Sequence, residues 1–154
     1  MFLARKFARA KWDHKADLSD GEISADAVTS DLRTKDDTLS FWKCGGATKP
    51  EIEEAALALA AAGDRIDKID LVWLTEEELR EDGQMLECTP GRTPVSDLAR
   101  QHVDVSRLDY VRLGKVAEQI VSAIASGNYV VCYLICRQRK GDGCFYDHPS
   151  PLPV

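Results

Sequence analysis

A single α/β (or α+β) domain, built on a mixed sheet of about four or five strands with covering helices, is the fold class this sequence predicts. Three observations carry that expectation. Ile66–Thr75 begins as an alternation (Ile66, Asp67, Ile69, Asp70) and turns continuously apolar at Leu71–Leu74, as a strand does when it passes from the wet end of a sheet into its covered interior. An alanine-rich helical stretch precedes it and a glutamate-rich one follows, which places the strand between two covering helices. Farther on, Leu113, Val116, Ala117, Ile120, Val121 and Ile124 keep a helical period and lead into Tyr129–Arg137, where aromatic and β-branched residues dominate both faces.

The remaining elements follow in chain order. Phe2–Ala8 reads as a strand with its basic side chains pointing outward, although Leu3, Phe7 and Ala10 also align at helical spacing. A polar loop over Lys15–Glu22 precedes a short helix, Ile23–Leu32, with Ser24 as its N-cap. After a turn at Thr34–Asp37, Leu39–Lys43 is a strand rich in β-formers, stopped by Gly45–Gly46. Thr48 and Glu51 then have the spacing of a capping box, with Pro50 tolerated in the first turn, and the helix they open runs to about Ala62. Thr75 and Glu78 repeat the box and open a helix over Glu76–Asp82. Leu86, Cys88 and the segment 89–94 read as a stiff loop, Pro94–Gln101 as a short helix capped by Thr93, and Val103–Ser106 as a connector. The long helix begins near Ser106 or Leu108 and ends at Ser126; Gly114 leaves Leu108–Leu113 open to a short strand instead. A hairpin turn at Lys140–Gly143 returns the chain through Cys144–Tyr146. Residues 1–148 form the domain and 149–154 a proline-spaced tail. The expected core is Phe41, Leu59, Val72, Leu74, Ile120, Ile124, Val131 and Leu134.

Composition narrows the function. The chain has 154 residues and a net charge of −6, with 44% apolar and 30% charged residues, the balance of a folded domain. Its longest apolar runs, Ala55–Ala62 and Tyr129–Cys136, fall far short of the ~20 residues a membrane span needs. The start Met1–Arg9 is too basic for a signal peptide, so a cytoplasmic location is expected. Five cysteines, an odd number without secretion signals, read as reduced thiols. The charge is divided: residues 1–15 carry five basic side chains and one acid, residues 16–104 nine against twenty-one, and residues 105–154 six against four. An acidic body with basic ends is a poor nucleic-acid binder, because phosphate neutralisation requires a concentrated basic face. Arg5, Lys6, Arg9, Lys11, Arg137, Arg139 and Lys140 are the residues through which such contact would have to run.

No cofactor or metal is expected. Cys132, Cys136, Cys144 and His148 have a zinc-like look, yet on a strand Cys132 and Cys136 stand ~13 Å apart at ~3.3 Å per residue, too far to share one tetrahedral ion. The glycines match neither a Walker loop nor a dinucleotide fingerprint. Cys44, at a strand end before two glycines and a helix start, is the best nucleophile candidate, with His14, His102 and His148 as candidate bases. From these a small cysteine- or histidine-dependent hydrolase or transferase would have to be assembled by the fold. The reading that ranks first is a non-catalytic protein-interaction subunit, a small acidic accessory or inhibitory protein. Its partner is a protein of basic character, and its contact residues are Glu51, Glu54, Glu76, Glu77, Glu78 and Glu81, at the starts of the two helices flanking the central strand. If that strand pairs in parallel with Leu39–Lys43, both helices start at one edge of the sheet and their carboxylates gather there.

Overall fold

The computed structural model describes residues 1–12, 23–46, 48–61 and 68–133. Within them the chain runs β1 (Phe2–Phe7), α1 (Arg9–Trp12), α2 (Ala25–Asp31), β2 (Leu39–Cys44), α3 (Lys49–Ala61), β3 (Lys68–Thr75), α4 (Glu76–Glu81), β4 (Met85–Cys88), α5 (Ser96–Ala99), β5 (His102–Ser106), α6 (Tyr110–Ala125) and β6 (Tyr129–Tyr133). The strands form one sheet in the order β4-β5-β2-β1-β3-β6. The predicted α+β class is the one found. Among the described residues the sheet has six strands, and every pairing among them is antiparallel rather than mixed.

The reason lies in β1. Phe2 pairs with Cys44 on one side and with Thr75 on the other, so β1 separates β2 from β3 and runs opposite to both. The two strands therefore point the same way without touching. The expected edge-sharing of α3 and α4 is kept while the expected parallel pairing is not.

Both faces of the sheet are covered. Leu3, Phe7, Leu39, Phe41, Val72, Leu74, Val103 and Val105 face α6, whose Val116, Ala117, Ile120 and Ala123 are buried against them together with Leu79 of α4 and Ala27 of α2. Ala4, Trp42, Cys44, Ile69, Leu71 and Trp73 face α3, which meets them with Ile52, Ala55, Ala56 and Ala58. Small alanines let α3 approach the sheet closely, and two tryptophans fill what they leave. Of the expected core, Phe41, Val72, Leu74 and Ile120 are buried. Leu59, Ile124 and Val131 are half-buried, and Leu134 lies outside the described residues.

Two strands were misread from sequence. The predicted stiff loop contains β4, and the predicted connector is β5, which pairs with β2 and β4. The short helix predicted over Pro94–Gln101 contracts to α5. The strand proposed at Cys144–Tyr146 lies outside the described residues.

Arg5 is a further correction. It does not point outward but lies on the α6 face, its guanidinium carbon 5.5 Å from the Phe41 ring centroid. Its nitrogens donate to the main-chain oxygens of Asp31 and Ser40. Burial pushes this guanidinium down to about 10, against the opposing pull of the Asp31 carboxylate, so it stays charged at neutral pH. Asp31 in turn accepts from the Ala8 amide and from Trp12 Nε1, both at 2.7 Å, and so locks α1 and α2 onto β1. Among the described residues no helix is long and apolar enough to cross a membrane.

Candidate functional site

The acidic residues that open α3 and α4 do start at one end of the sheet, beside Phe2. From there the helices diverge. Helix α3 lies on the Trp42 face and α4 on the Leu79 face, so the carboxylates form two groups rather than one patch.

Several of them are held by local structure. Thr75 caps α4: its hydroxyl accepts from the Glu78 amide at 3.1 Å, while the Glu78 carboxylate accepts from the Thr75 amide, completing the capping box. Glu76 pairs with Arg80 one turn on, at 2.9 Å. Thr48 Oγ1 donates to Glu51 Oε2 at 2.5 Å. Glu54, Glu77 and Glu81 are exposed, and among the described residues none of the three has a hydrogen-bond or ion-pair partner.

Beside α4 the structure opens a cavity of about 270 Å³, closed on its other side by the C-terminal half of α6. Glu78, Glu81 and Asp82 line it together with Gln119, Ser122, Ser126, Asn128 and the sheet residues Trp73 and Leu74. Three carboxylates and no lysine or arginine make this lining strongly negative. Gln119 braces it. Its Nε2 donates to the Glu78 carbonyl at 3.0 Å and to Asp82 Oδ2 at 2.5 Å, which leaves its buried Oε1 without a partner among the described residues. Sequence reading found Glu78 and Glu81, with Asp82 at the end of the same acidic helix, but missed Gln119 and Asn128. Nothing in their spacing signals that α6 will pack beside α4.

The nucleophile candidate is placed otherwise. Cys44 is only 2% exposed, and its thiol points at the Trp42 carbonyl, 3.8 Å away. Burial pushes the thiol up to about 11, with the Glu51 and Glu54 charges acting in the same direction and a hydrogen bond to the Ala4 backbone opposing them. A neutral, enclosed thiol is the reverse of what nucleophilic catalysis uses. The raised value also predicts an alkaline weakness. The unfolded thiol releases its proton near 9.0 and the folded one near 11, so this contribution is intact below the first value and is lost as pH rises through the second. The stability difference between wild type and Cys44→Ala should shrink by about 2–3 kcal/mol between pH 8 and 11.5 in urea unfolding. An unchanged difference would mean that the thiol is not enclosed.

His102 is buried as well, on the α3 face of the sheet, and stacks edge-on against Trp42 at 5.2 Å. Its Nδ1 lies 3.1 Å from the Thr89 carbonyl and 2.9 Å from Thr89 Oγ1, and that hydroxyl donates to Asp104 Oδ2 at 2.6 Å. Both neighbours of Nδ1 therefore act as acceptors, which assigns it the ring proton. The group fastens the chain after β4 to the sheet. Gly91 packs beneath it, where a Cβ would fall 2.4 Å from the Trp42 ring. His102 and Cys44 share no hydrogen bond, and His14 and His148 lie outside the described residues. Of the zinc-like quartet only Cys132 is described. Among the described residues no three metal-binding side chains converge.

Of the basic residues weighed for nucleic-acid contact, Arg5 is committed to the core and Arg9 stacks over Tyr129 at 4.5 Å. Arg137, Arg139 and Lys140 lie outside the described residues. Comparison with protein-family models, with curated proteins and with solved structures found no match.

Proposed function

We propose that this chain is a non-catalytic, cytoplasmic protein-interaction subunit, a small acidic accessory or inhibitory protein that binds a basic protein through α4 and the cavity beside it. The single observation that carries the reading is the cavity lining: three carboxylates, no cation, and room for a lysine or arginine side chain. Exposed Glu77, beside the lining carboxylate of Glu81, extends the negative field beyond the cavity, where it steers an approaching basic surface and raises the association rate more than the final affinity. The partner is a protein rather than a nucleic acid, since the same field repels phosphate. An enzyme built on Cys44 draws no support from a thiol that is enclosed and held neutral.

The test follows from which acids are free. Glu76 and Glu78 maintain the helix, so the informative variant is Glu77→Gln with Glu81→Gln. Association with the partner isolated from the native host should slow by about 3–10-fold at low salt. The difference should close as salt shortens the Debye length to about 3 Å near 1 M. Equal rates for variant and wild type at low salt would overturn the assignment.

A further inference from the structure

Lys43 and Cys88 stand on the α6 side of the sheet, on strands that are not neighbours. Cys88 lies opposite Val103 on β5, and Val103 lies opposite Phe41 on β2, two residues before Lys43. The lysine side chain reaches across β5 and donates from Nζ to Cys88 Sγ at 3.0 Å. Among the described residues this ammonium has no carboxylate partner, so the sulfur is its one acceptor.

Both ends of the contact are fixed by backbone. The Lys43 amide donates to the Gln101 carbonyl at 2.7 Å. Thr89, directly after Cys88, is held through its hydroxyl and its carbonyl by Asp104 and His102, and the turn beyond it is wedged at Gly91. Two reactive side chains kept at contact distance behave as an intramolecular pair, with the gain in effective concentration that follows. Cys88 is exposed, so oxidant and reductant reach it, whereas Cys44 is enclosed.

We propose that Lys43 and Cys88 are a redox-sensitive modification site, which dioxygen closes into a covalent sulfur–oxygen–nitrogen bridge. Counted in their neutral forms, the thiol, the amine and one dioxygen give the bridge and one water. The S–O and O–N bonds form while the O–O, S–H and one N–H bond break. Sulfur and nitrogen each give up two electrons, and the second oxygen leaves as water with both released hydrogens. The product places the sulfur at the reversible, sulfenyl level of thiol oxidation, from which two equivalents of an added dithiol, four electrons in all, restore the free thiol and amine and release one water. The bridge spans 45 positions of sequence and staples the edge strand β4 to β2, which restricts the unfolded chain as a disulfide of equal span does.

Intact mass after exposure of the reduced, full-length protein to oxygenated buffer decides the matter. One oxygen gained and two hydrogens lost predicts a rise of about 14 Da that dithiothreitol reverses. A peptide map should join the segment bearing Lys43 to the one bearing Cys88, and the oxidised protein should melt at a higher temperature. Lys43→Arg, which keeps the charge beside the sulfur, and Cys88→Ser should each abolish the product. An unchanged mass would overturn the proposal. So would oxygen added to Cys88 without a link to Lys43, a disulfide in its place, or the same mass rise in Lys43→Arg.

Discussion

Replacing Ile120 by alanine is expected to lower the unfolding free energy by about 2–5 kcal/mol, among the largest losses available to a single substitution here. Ile120 is fully buried at the centre of the α6 face, between Val116 and Ala123 on its own helix and the sheet residues Val72 and Leu74. Truncation removes transfer free energy and leaves a hole. The neighbours cannot collapse into it without pulling α6 off the strands. The urea midpoint should fall with an unchanged slope, because the surface exposed on unfolding stays nearly the same. Val72→Ala, from the opposite wall of the same site, should behave alike at a smaller magnitude. Losses below about 0.5 kcal/mol for both would place the core elsewhere.

Asp31→Ala is expected to cost about 2–4 kcal/mol, although the residue is neither apolar nor fully buried. Its carboxylate accepts from the Ala8 amide and from Trp12 Nε1, and its charge offsets the burial of the Arg5 guanidinium. Alanine leaves both donors without that acceptor and the guanidinium without its counter-charge. A part-buried donor left without its acceptor costs more than the hydrogen bond itself contributes. Asp31→Asn keeps the shape and one acceptor oxygen, so it should recover part of the loss but not the charge. If alanine and asparagine were equally benign in denaturant unfolding, the linkage of α1 and α2 to β1 would be carried by packing alone.

How far these features can be read from sequence depends on whether a residue's neighbour is near in sequence or delivered by the sheet. Strand β3 was legible because six of its eight residues are buried, which writes an almost continuous apolar run. The capping box at Thr75 and Glu78 was legible because both partners lie three residues apart. Strand β5 was not. His102, Asp104 and Ser106 occupy one of its faces, and their companions are Thr89, Ser40 and Glu87 from other strands and loops rather than an apolar helix. With only Val103 and Val105 to mark it, the strand resembled a connector. Strand β4 is an edge that turns only Leu86 toward the core, so its hydrophobic signal is a single residue.

The acidic site shows the same division. Glu77 and Glu81 were visible as a charge cluster, while Glu76 and Glu78 serve the helix itself, which is the ordinary role of acids in a first turn. The cavity that distinguishes the cluster depends on Gln119 and Asn128, about forty residues farther along the chain. The two acidic groups were expected to merge. They separate because β1 stands between β2 and β3 and the following helices take opposite faces.

The central claim is that α4 and its cavity form the contact surface, and zero-length carboxyl-to-amine crosslinking of the complex with the native partner tests it most directly. Glu77, Glu81 and Asp82 should be the carboxylates joined to partner lysines, and the yield should fall as salt rises. Crosslinks that map instead to Asp36, Asp37 or Asp97 in an intact complex would contradict the account and move the interaction to another face of the molecule.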